Sequence, residues 1–405
     1  MHDLHDIADW LKQHPVHPDR QLPGTLPDPV FIAGGEPVVS FSSNNYLGLA
    51  NHPRVTAAAR NGLERHGAGN RESRLHGGDL ALYRELEARL AALQRKSDAL
   101  LFASGYMANL GVLSSIVKAG ALARLHGYRA RKRHKYAYYS DECNHVSIRE
   151  GIQLSGALRY NYRHGDMDHL GSLLKAGAEE GATPVIVSDG VFGMEGTIAP
   201  LPALVELAER HGALLYIDDA HATGVLGAHG GGTAEHFGCH SACLMQMGSL
   251  GKALGAGGGF VALERDMADV IRLTSAAYGY SCPPPPSQAA ALLAALDVLE
   301  EEPRRRRRLW DNQRYFIEQM APLGYTFVST ATPILALVVG EAETCQRYAI
   351  ALRKEGIQVE AVQFPAAPVG QARLRFVMNA GHTGAQIDQV VRVMAQLAGR
   401  AARLA

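Results

Sequence analysis

One lysine of this 405-residue chain lies where it could bind a cofactor covalently. Lys252 follows the apolar run 244–247, stands three residues after Ser249 and is surrounded by glycines. Apolar surroundings and nearby cations lower the pKa of a lysine and suit it to Schiff-base chemistry, and glycines let a planar group approach the backbone. A phosphate-binding GxxxxGK[ST] loop fits less well, because Ala253 stands where that motif has Ser or Thr.

Two adjacent carboxylates and a histidine follow another predicted strand. Asp218, Asp219 and His221 come directly after the apolar run 214–217. A carboxylate below a pyridine nitrogen keeps that nitrogen protonated and makes the ring an electron sink. The residues alone leave a second interpretation open, in which the two aspartates cap a helix and the histidine lies on the surface.

A further histidine, His145, ends the strand-like run that contains Ser140 and Asp141. It could stack on the face of an aromatic cofactor. An ordinary surface histidine is the other interpretation that the sequence leaves open.

The elements that must position these residues alternate between helix and strand. From about residue 55 to residue 300, helical patterns alternate with short apolar runs, which is typical of βαβ units and a largely parallel sheet. The clearest unit has a strand at 184–187, a helix at Leu201–His211 ending at Gly212, and a strand at 214–217. Open α/β sheets bind ligands beyond the carboxyl ends of their strands, so the polar residues that follow these runs are candidates for a binding site.

We expect an N-terminal arm at 1–54, a large domain at 55–300 and a small α+β C-terminal domain at 301–405. The arm contains a short amphipathic helix and two β-like segments at 30–33 and 37–41. The C-terminal domain contains helices at 305–320, 342–355 and 383–398 and strands at 334–339 and 373–378. Thr383 and Gln386 form a capping box at the start of the last helix.

Composition excludes several classes of function. Lys+Arg and Asp+Glu both number 40, so no net charge attracts nucleic acid. No apolar stretch approaches the ~20 residues that cross a bilayer, and no secretory signal is evident, so we expect a cytoplasmic protein without an integral membrane segment. The five cysteines imply no disulfide framework. Cys239 and Cys243, with His236 and His240, resemble half a zinc site, but no second ligand pair follows, so we expect no metal.

A series of short motifs lies between residues 40 and 385. The motifs are Ser42-Ser43-Asn44-Asn45-Tyr46-Leu47-Gly48, Gly67-Ala68-Gly69, Ser73-Arg74, Ser104-Gly105-Tyr106, Asn144-His145, Asp218-Asp219-Ala220-His221, Ser249-Leu250-Gly251-Lys252 and Ala372-Arg373-Leu374-Arg375. The set strongly resembles the α-oxoamine synthases, which are pyridoxal 5′-phosphate (PLP) enzymes of fold type I, the aspartate aminotransferase fold. The family includes glycine C-acetyltransferase, 8-amino-7-oxononanoate synthase and serine palmitoyltransferase.

The resemblance implies a role for each matching residue around the PLP ring. Lys252 would bind PLP and later move the proton at the substrate Cα. Asp218 would pair with the pyridine nitrogen, and His221 would contact the ring hydroxyl. His145 would stack on the ring face.

The resemblance also implies how the cofactor phosphate would be held. Ser104, Gly105 and Tyr106 would bind it at the start of a helix, together with Ser249. Ser281 would reach the same phosphate from the neighbouring subunit of a homodimer. The active unit is therefore expected to be a dimer with shared sites.

The implied reaction joins an amino acid to an acyl group. A small amino acid (glycine, alanine or serine) would condense with an acyl thioester of coenzyme A or an acyl-carrier protein, usually with decarboxylation, to give an α-aminoketone. Asn44 and Arg375 would orient the amino-acid carboxylate. An aminotransferase or a Cα–Cβ lyase on the same fold, with no acyl donor, is the alternative.

Departures from the family pattern concern the acyl donor. Arg71-Glu72 replaces a pair of small residues, and the segment 193–196 reads Gly-Met-Glu-Gly where the family has Ser-Met-Asp-Gly. The basic segment 124–135 resembles an insertion and is either an exposed loop or a contact for the phosphates of the acyl donor. A second basic run, 304–308, is expected to be a solvated helix face.

Overall fold

The computed structural model describes residues 2–13, 24–25, 29–125, 127–129, 135–179, 181–364 and 366–401. The strands are β1 Val30–Ala33, β2 Glu36–Ser40, β3 Asp98–Phe102, β4 Lys135–Asp141, β5 Leu158–Tyr162, β6 Ala182–Asp189, β7 Leu214–Asp218, β8 Leu244–Ser249, β9 Gly259–Leu263, β10 Ile334–Gly340, β11 Ile357–Gln358, β12 Glu360–Val362 and β13 Ala372–Val377.

The α-helices largely alternate with these strands along the chain. They are α1 His2–Gln13, α2 Pro53–His66, α3 Ala81–Leu93, α4 Gly105–Leu113, α5 Ala119–Leu125, α6 Val146–Ser155, α7 Met167–Glu179, α8 Leu201–His211, α9 Gly232–Phe237, α10 Arg265–Thr274, α11 Ala276–Gly279, α12 Pro286–Glu301, α13 Arg304–Met320, α14 Ala342–Lys354 and α15 Gly384–Ala401.

A seven-stranded sheet forms the centre of the larger lobe. Its strand order is β3-β9-β8-β7-β6-β4-β5. The pairs β4–β5, β4–β6, β6–β7 and β7–β8 are parallel, and β9 is antiparallel to both of its neighbours. The predicted PLP-enzyme fold with a mostly parallel sheet is therefore confirmed. At one edge the ends of three strands meet, since Asp218 on β7 pairs with Asp189 on β6 and with Met247 on β8.

The predicted βαβ unit is present with small changes at its ends. Helix α8 has the predicted bounds, and Gly212 ends it in the left-handed conformation (φ 59°). Strand β6 is longer than predicted, and β7 extends by one residue to include Asp218. Central strands such as β7 are buried on both faces, which explains their continuous apolar runs.

A smaller lobe contains the C-terminal elements. Strands β10, β13 and β12 form an antiparallel sheet. The N-terminal strands β1 and β2 form a second small sheet with β11, so residues 30–40 pair with a C-terminal strand. Phe41 packs against the rings of Phe316 and Phe376 in the core beneath them. The division at residues 54 and 300 stays a prediction.

The capping box of α15 is confirmed. Thr383 N donates to Gln386 Oε1 at 2.9 Å, and Gln386 N donates to Thr383 Oγ1 at 3.3 Å. These bonds satisfy backbone donors at the start of the helix, which otherwise have no partner.

One sequence expectation is wrong in part. Arg306, inside the basic run, is buried and donates to the carbonyls of Leu299 at 2.9 Å and Ala228 at 2.6 Å, whereas Arg304 is exposed as expected. The stretch Gly105–Leu125 is long and apolar enough, by length and composition, to cross a membrane. A core helix has the same composition, and the α4 part of this stretch is largely buried against the sheet.

Candidate active site

A cavity of about 470 Å³ lies at the carboxyl edge of the central sheet. Every candidate residue except Ser281 lines it, namely Asn44, Ser104, Gly105, Tyr106, His145, Asp218, His221, Ser249, Lys252 and Arg375. Ser281 lies outside the cavity of its own chain, where its hydroxyl donates to Cys282 O at 3.3 Å. The fold thus brings together residues that are as far as 331 positions apart in the chain.

Lys252 lies in the turn that follows β8. Burial lowers the pKa of its amine to about 8, and Arg375 acts in the same direction. Asp218 and Asp189 oppose this shift without cancelling it. Roughly one tenth of the lysine is therefore uncharged at pH 7, far more than for an ordinary lysine, and the uncharged amine is the nucleophile.

Asp218 ends β7 and is only 4% exposed. Its Oδ1 accepts from Ala220 N at 2.9 Å, and its Oδ2 accepts from Asn109 Nδ2 at 2.7 Å. The neighbouring Asp189, also buried at the cavity, has its pKa raised well above the usual range, first by burial and then by Asp218. The carboxylate of Asp218 is thus held in one orientation at the cavity wall.

Asp219 is directed away from the cavity. It is fully buried and accepts from Thr233 N at 2.8 Å and from Thr233 Oγ1 at 2.7 Å. Burial raises its pKa to about 7. The structure therefore separates the two adjacent aspartates, since Asp218 lines the cavity while Asp219 binds the start of α9.

His221 is held by a tyrosine from the N-terminal segment. Its Nδ1 lies 2.7 Å from the hydroxyl of Tyr46. Burial lowers the pKa of His221 well below its usual range, and Lys252 acts in the same direction. A Cβ on Gly193 would lie 2.6 Å from His221 Nε2, so the glycine at this position leaves room for the histidine ring.

His145 caps the N-terminus of α6 on the open side of the cavity. Its Nδ1 accepts from Ser147 N at 3.3 Å, and its ring meets the edge of Tyr106 with centroids 6.4 Å apart. Tyr106 also hydrogen-bonds Glu150. Burial lowers the pKa of His145, partly opposed by Asp218.

The start of α4 forms the end of the cavity suited to an anion. Ser104 caps this helix, and its Oγ accepts from Met107 N at 3.1 Å. A Cβ on Gly105 would lie 3.6 Å from the Cβ of Ser249, so the two segments meet here. A Cβ on Gly259 would lie 2.4 Å from Gly105 N, so this close approach requires glycine. Backbone N–H groups at a helix N-terminus bind phosphate readily.

Arg375 lies on the opposite wall and is nearly fully buried. Its Nη2 donates to Asn44 Oδ1 at 3.2 Å, its Nε donates to the carbonyl of Gly193, and its Nη1 donates to Glu360 Oε2 at 3.3 Å. One N–H on each Nη is left for a ligand, which matches the two oxygens of a carboxylate.

The donor set fits PLP. A lysine with a lowered pKa, a fixed carboxylate, a histidine beside the ring position and a helix N-terminus for a phosphate all line one cavity. These groups complement the aldehyde, the pyridine nitrogen, the ring face and the phosphate of PLP in turn.

The same region contains a small group of possible metal ligands. Among the described residues, Asp141, Cys143 and His164 lie close enough to hold an ion. The carboxylate of Asp141 is already bonded by the Cys143 and Gly165 N–H groups and by His164 Nδ1 at 3.1 Å. These hydrogen bonds account for the closeness of the three side chains without a metal. Within the described ranges, no such group forms from the cysteines and histidines of 236–243.

Several functional residues were missed from sequence. Asn109 and Ser147 form the hydrogen bonds behind Asp218 and His145, and Glu360 pairs with Arg375. None of the three carried a local signal of function. Tyr46 stood inside a motif already quoted, and its contact with His221 spans 175 positions.

The chain is similar to known proteins over nearly its whole length. The aminotransferase class I and II family matches residues 36–394. The 8-amino-7-oxononanoate synthases of Thermoanaerobacter pseudethanolicus and Bacillus subtilis are each 36% identical, over 97% and 96% of this chain and 96% and 95% of theirs. A serine palmitoyltransferase from S. paucimobilis, solved with a bound PLP–myriocin aldimine, matches with a TM-score of 0.88 at 28% identity and covers 100% of this chain and 98% of its own. The 8-amino-7-oxononanoate synthase of Francisella tularensis matches with a TM-score of 0.75 at 26% identity, over 90% and 99% of the two chains.

Proposed function

The chain belongs to the aminotransferase class I and II family and is a PLP-dependent acyltransferase that condenses an amino acid with an acyl thioester, and we propose that this amino acid is glycine, alanine or serine. When bound, PLP supplies an electron sink that stabilises negative charge at the substrate Cα. The observation that carries the proposal is the single cavity in which Lys252 and Asp218 meet the Asn44–Arg375 pair.

Asp218 and His221 hold the cofactor ring. The fixed carboxylate of Asp218 keeps a proton on the pyridine nitrogen, because ion pairing favours the charged form of both groups. His221, uncharged and oriented by Tyr46, would bind the ring hydroxyl. The start of α4 and Ser249 hold the phosphate.

Lys252 binds the cofactor and moves the proton. Its lowered pKa raises the share of neutral amine near physiological pH, and this neutral form is the one that would hold PLP through its aldehyde. The same amine would take up and return the proton at the Cα of the bound amino acid. A base whose pKa lies close to the working pH transfers protons efficiently.

Arg375 and Asn44 orient the amino acid, and the cavity limits its size. The carboxylate binds the free N–H groups of Arg375 while Asn44 keeps the guanidinium in place. About 470 Å³ must hold both PLP and the amino acid, and Met194, Glu195 and Glu360 occupy the nearby wall. A short side chain fits the space that remains.

The acyl donor is a thioester of coenzyme A or of an acyl-carrier protein. Arg71 stands in the left-handed conformation (φ 65°) in a loop tied together by Asn70, which donates to Glu72 O at 2.7 Å and Gly78 O at 3.0 Å. This loop lies where the family has small residues, so its bulk is expected to influence the acyl group. Half of the basic segment 124–135, including Arg131, Lys132 and Arg133, lies outside the described residues, so the choice between an exposed loop and a contact for carrier phosphates stays open.

The enzyme works as a homodimer in the cytoplasm. His145 and Tyr106 leave one side of the cavity open, and Tyr280, next to Ser281, is 83% exposed. A second subunit that covers these residues would bring Ser281 to the neighbouring phosphate. The five cysteines are all free thiols, which is typical of proteins in a reducing compartment.

A matrix of amino acids and acyl thioesters tests the proposal. We expect release of free thiol that depends on both glycine, alanine or serine and an acyl thioester, together with release of carbon dioxide from the amino-acid carboxyl group. The Lys252→Ala variant should release none above the blank. Conversion of the amino acid without thiol release would favour an aminotransferase or lyase, and a preference for large amino acids would contradict the proposed substrate size.

A further inference from the structure

A chain of hydrogen bonds runs along the wall of the cavity from Asp218 to His145. Asn109, fully buried on α4, donates from Nδ2 to Asp218 Oδ2 at 2.7 Å and to Ser147 Oγ at 2.8 Å. Ser147 Oγ lies 2.7 Å from His145 Nδ1. Two side chains that no motif singled out therefore connect the carboxylate of the cavity to its histidine.

The orientation of the Asn109 amide follows from its neighbours. Its Oδ1 accepts from the hydroxyl of Tyr216 at 2.8 Å. The reversed amide would place Oδ1 against the carboxylate of Asp218, where two acceptors would face each other without a proton. Asn109 therefore donates to both Asp218 and Ser147.

The hydrogen bond from Asn109 determines the direction in which the Ser147 hydroxyl donates. Its oxygen already accepts from Asn109, so its own hydrogen is free for the nearby His145 Nδ1. The backbone N–H of Ser147 also points at that ring nitrogen, at 3.3 Å. A proton on Nδ1 would face the Ser147 N–H, so two donors would oppose each other. It would also leave the hydroxyl hydrogen of the fully buried Ser147 without an acceptor, which is unfavourable.

We propose that Ser147, oriented by Asn109, is a positioning residue that holds His145 as the neutral tautomer with its proton on Nε2. The charged and titratable groups around His145 are Asp218, Lys252, Arg149 and His221, together with Asp189, which accepts from its backbone N–H, and Tyr106, whose ring meets its edge. Burial of the ring and the charge of Lys252 favour the uncharged form, and Asp218 opposes it. The use of this tautomer in catalysis rests on the proposed function.

The tautomer decides which chemistry His145 can perform. Its Nδ1 is occupied by Ser147, so the nitrogen left for a ligand carries a hydrogen and is a donor. His145 can therefore hold an anionic or carbonyl oxygen of a bound substrate, but it cannot take the proton from Cα. That step is left to Lys252.

Nitrogen-15 NMR of the PLP-loaded enzyme with labelled histidine tests the tautomer directly. The chain has 18 histidines, so the signals of His145 are assigned by their loss in His145→Gln. We expect the shift of an unprotonated nitrogen at Nδ1 and of a protonated nitrogen at Nε2. A protonated Nδ1 in the unmodified enzyme would overturn the proposal, whatever the variants do.

Variants of Ser147 separate positioning from a general structural role. Ser147→Ala removes the hydroxyl donor, so we expect mixed tautomers, a raised pKa of His145 and a fall in kcat/KM for the amino acid of about tenfold, the value of one hydrogen bond. Ser147→Thr keeps the hydroxyl and should restore the spectrum. Ser155→Ala, on the same helix, is the matched control and should leave the His145 signals unchanged.

An unchanged spectrum and an unchanged pH profile in Ser147→Ala would also contradict the proposal. These spectra need no acyl thioester. If the tautomer proposal is wrong, the spectra show it without any turnover assay. If instead the proposed function is wrong, thiol release is missing although the spectra show the expected tautomer.

Discussion

Arg375 and Glu360 form an ion pair at 3.3 Å on the wall of the cavity. The guanidinium proposed to bind the substrate carboxylate therefore already has an anionic partner. Glu360 belongs to β12 and Arg375 to β13, and the two residues are directly opposite in the antiparallel register. Their side chains are thus held next to each other by the sheet.

We expect Glu360→Gln to strengthen binding of the amino acid. The glutamine keeps the size of the side chain but removes a negative charge that competes with the substrate for Arg375. Glu360 is 48% exposed, so solvent screens the pair and KM for the amino acid should fall only about two- to fivefold. Steady-state kinetics at low and high salt measure this change, which should shrink as salt increases.

The control for this change is Glu343→Gln, which removes an exposed carboxylate at the start of α14. It should leave KM unchanged. A KM that rises in Glu360→Gln would show that Glu360 itself contributes to substrate binding.

The pKa of Lys252 predicts how the cofactor attaches. Only the neutral amine attacks the aldehyde of PLP, and burial lowers the pKa of this lysine to about 8. Below that pH the neutral fraction, and with it the rate at which the cofactor-free enzyme binds PLP covalently, should fall about tenfold per pH unit. Above pH 8 the rate should level off, whereas an ordinary lysine would keep gaining rate up to its higher pKa.

Stopped-flow absorbance of the yellow bound cofactor measures this rate, and borohydride reduction followed by peptide mapping identifies the lysine. The exposed Lys175 provides the control variant, Lys175→Ala, which should retain colour and pH profile. Label on a peptide without Lys252 would contradict the assignment.

Much of the fold could be predicted because its signals are local. The apolar periodicity of Leu201–His211 and the glycine after it specify a helix and its end, and runs such as 214–217 specify buried strands. The residues that follow those runs could also be identified as a site, because parallel strands end at a common edge.

The remaining parts of the site depend on contacts between distant segments. Asn109 meets Asp218 across 109 positions, and Arg375 meets Asn44 across 331. The arginine neighbours of Arg306 predict a solvated face, yet Arg306 is buried and donates to the carbonyl of Leu299 and, across 78 positions, to that of Ala228. No local pattern contains such information.

The two adjacent aspartates should respond differently to the same substitution. Asp218→Asn removes the charge that holds a proton on the pyridine nitrogen, and turnover should fall at least ~10²-fold, a loss typical of one preorganised electrostatic group. Asp219→Asn should keep most of the turnover. Its amide oxygen can still accept from Thr233 N, whereas its NH2 must donate to Thr233 Oγ1 and the hydroxyl hydrogen loses its acceptor, so we expect a loss of about 1 kcal/mol in the free energy of unfolding.

Turnover and thermal unfolding, measured on both variants, separate these effects. If Asp219→Asn abolishes turnover while Asp218→Asn does not, the roles of the pair are reversed. If both lose turnover but remain folded, the site depends on both carboxylates and the division seen between them does not extend to function.

Ser281 lies outside the cavity of its own chain. If it reaches the phosphate of the neighbouring subunit, Ser281→Glu should repel that phosphate, and this homodimer should bind PLP poorly. Lys252→Ala homodimers should be inactive for the separate reason that they lack the amine.

In a hybrid dimer, the site that keeps Lys252 receives an intact Ser281 from the partner. Random exchange yields hybrids in half the dimers, each with one good site, so mixing should restore about one quarter of the normal activity. A Ser281 that served its own chain would leave both hybrid sites damaged, and mixing would restore nothing. Native mass spectrometry of the mixture measures the fraction of hybrid dimers and so the extent of subunit exchange, and sedimentation shows whether dimers are present.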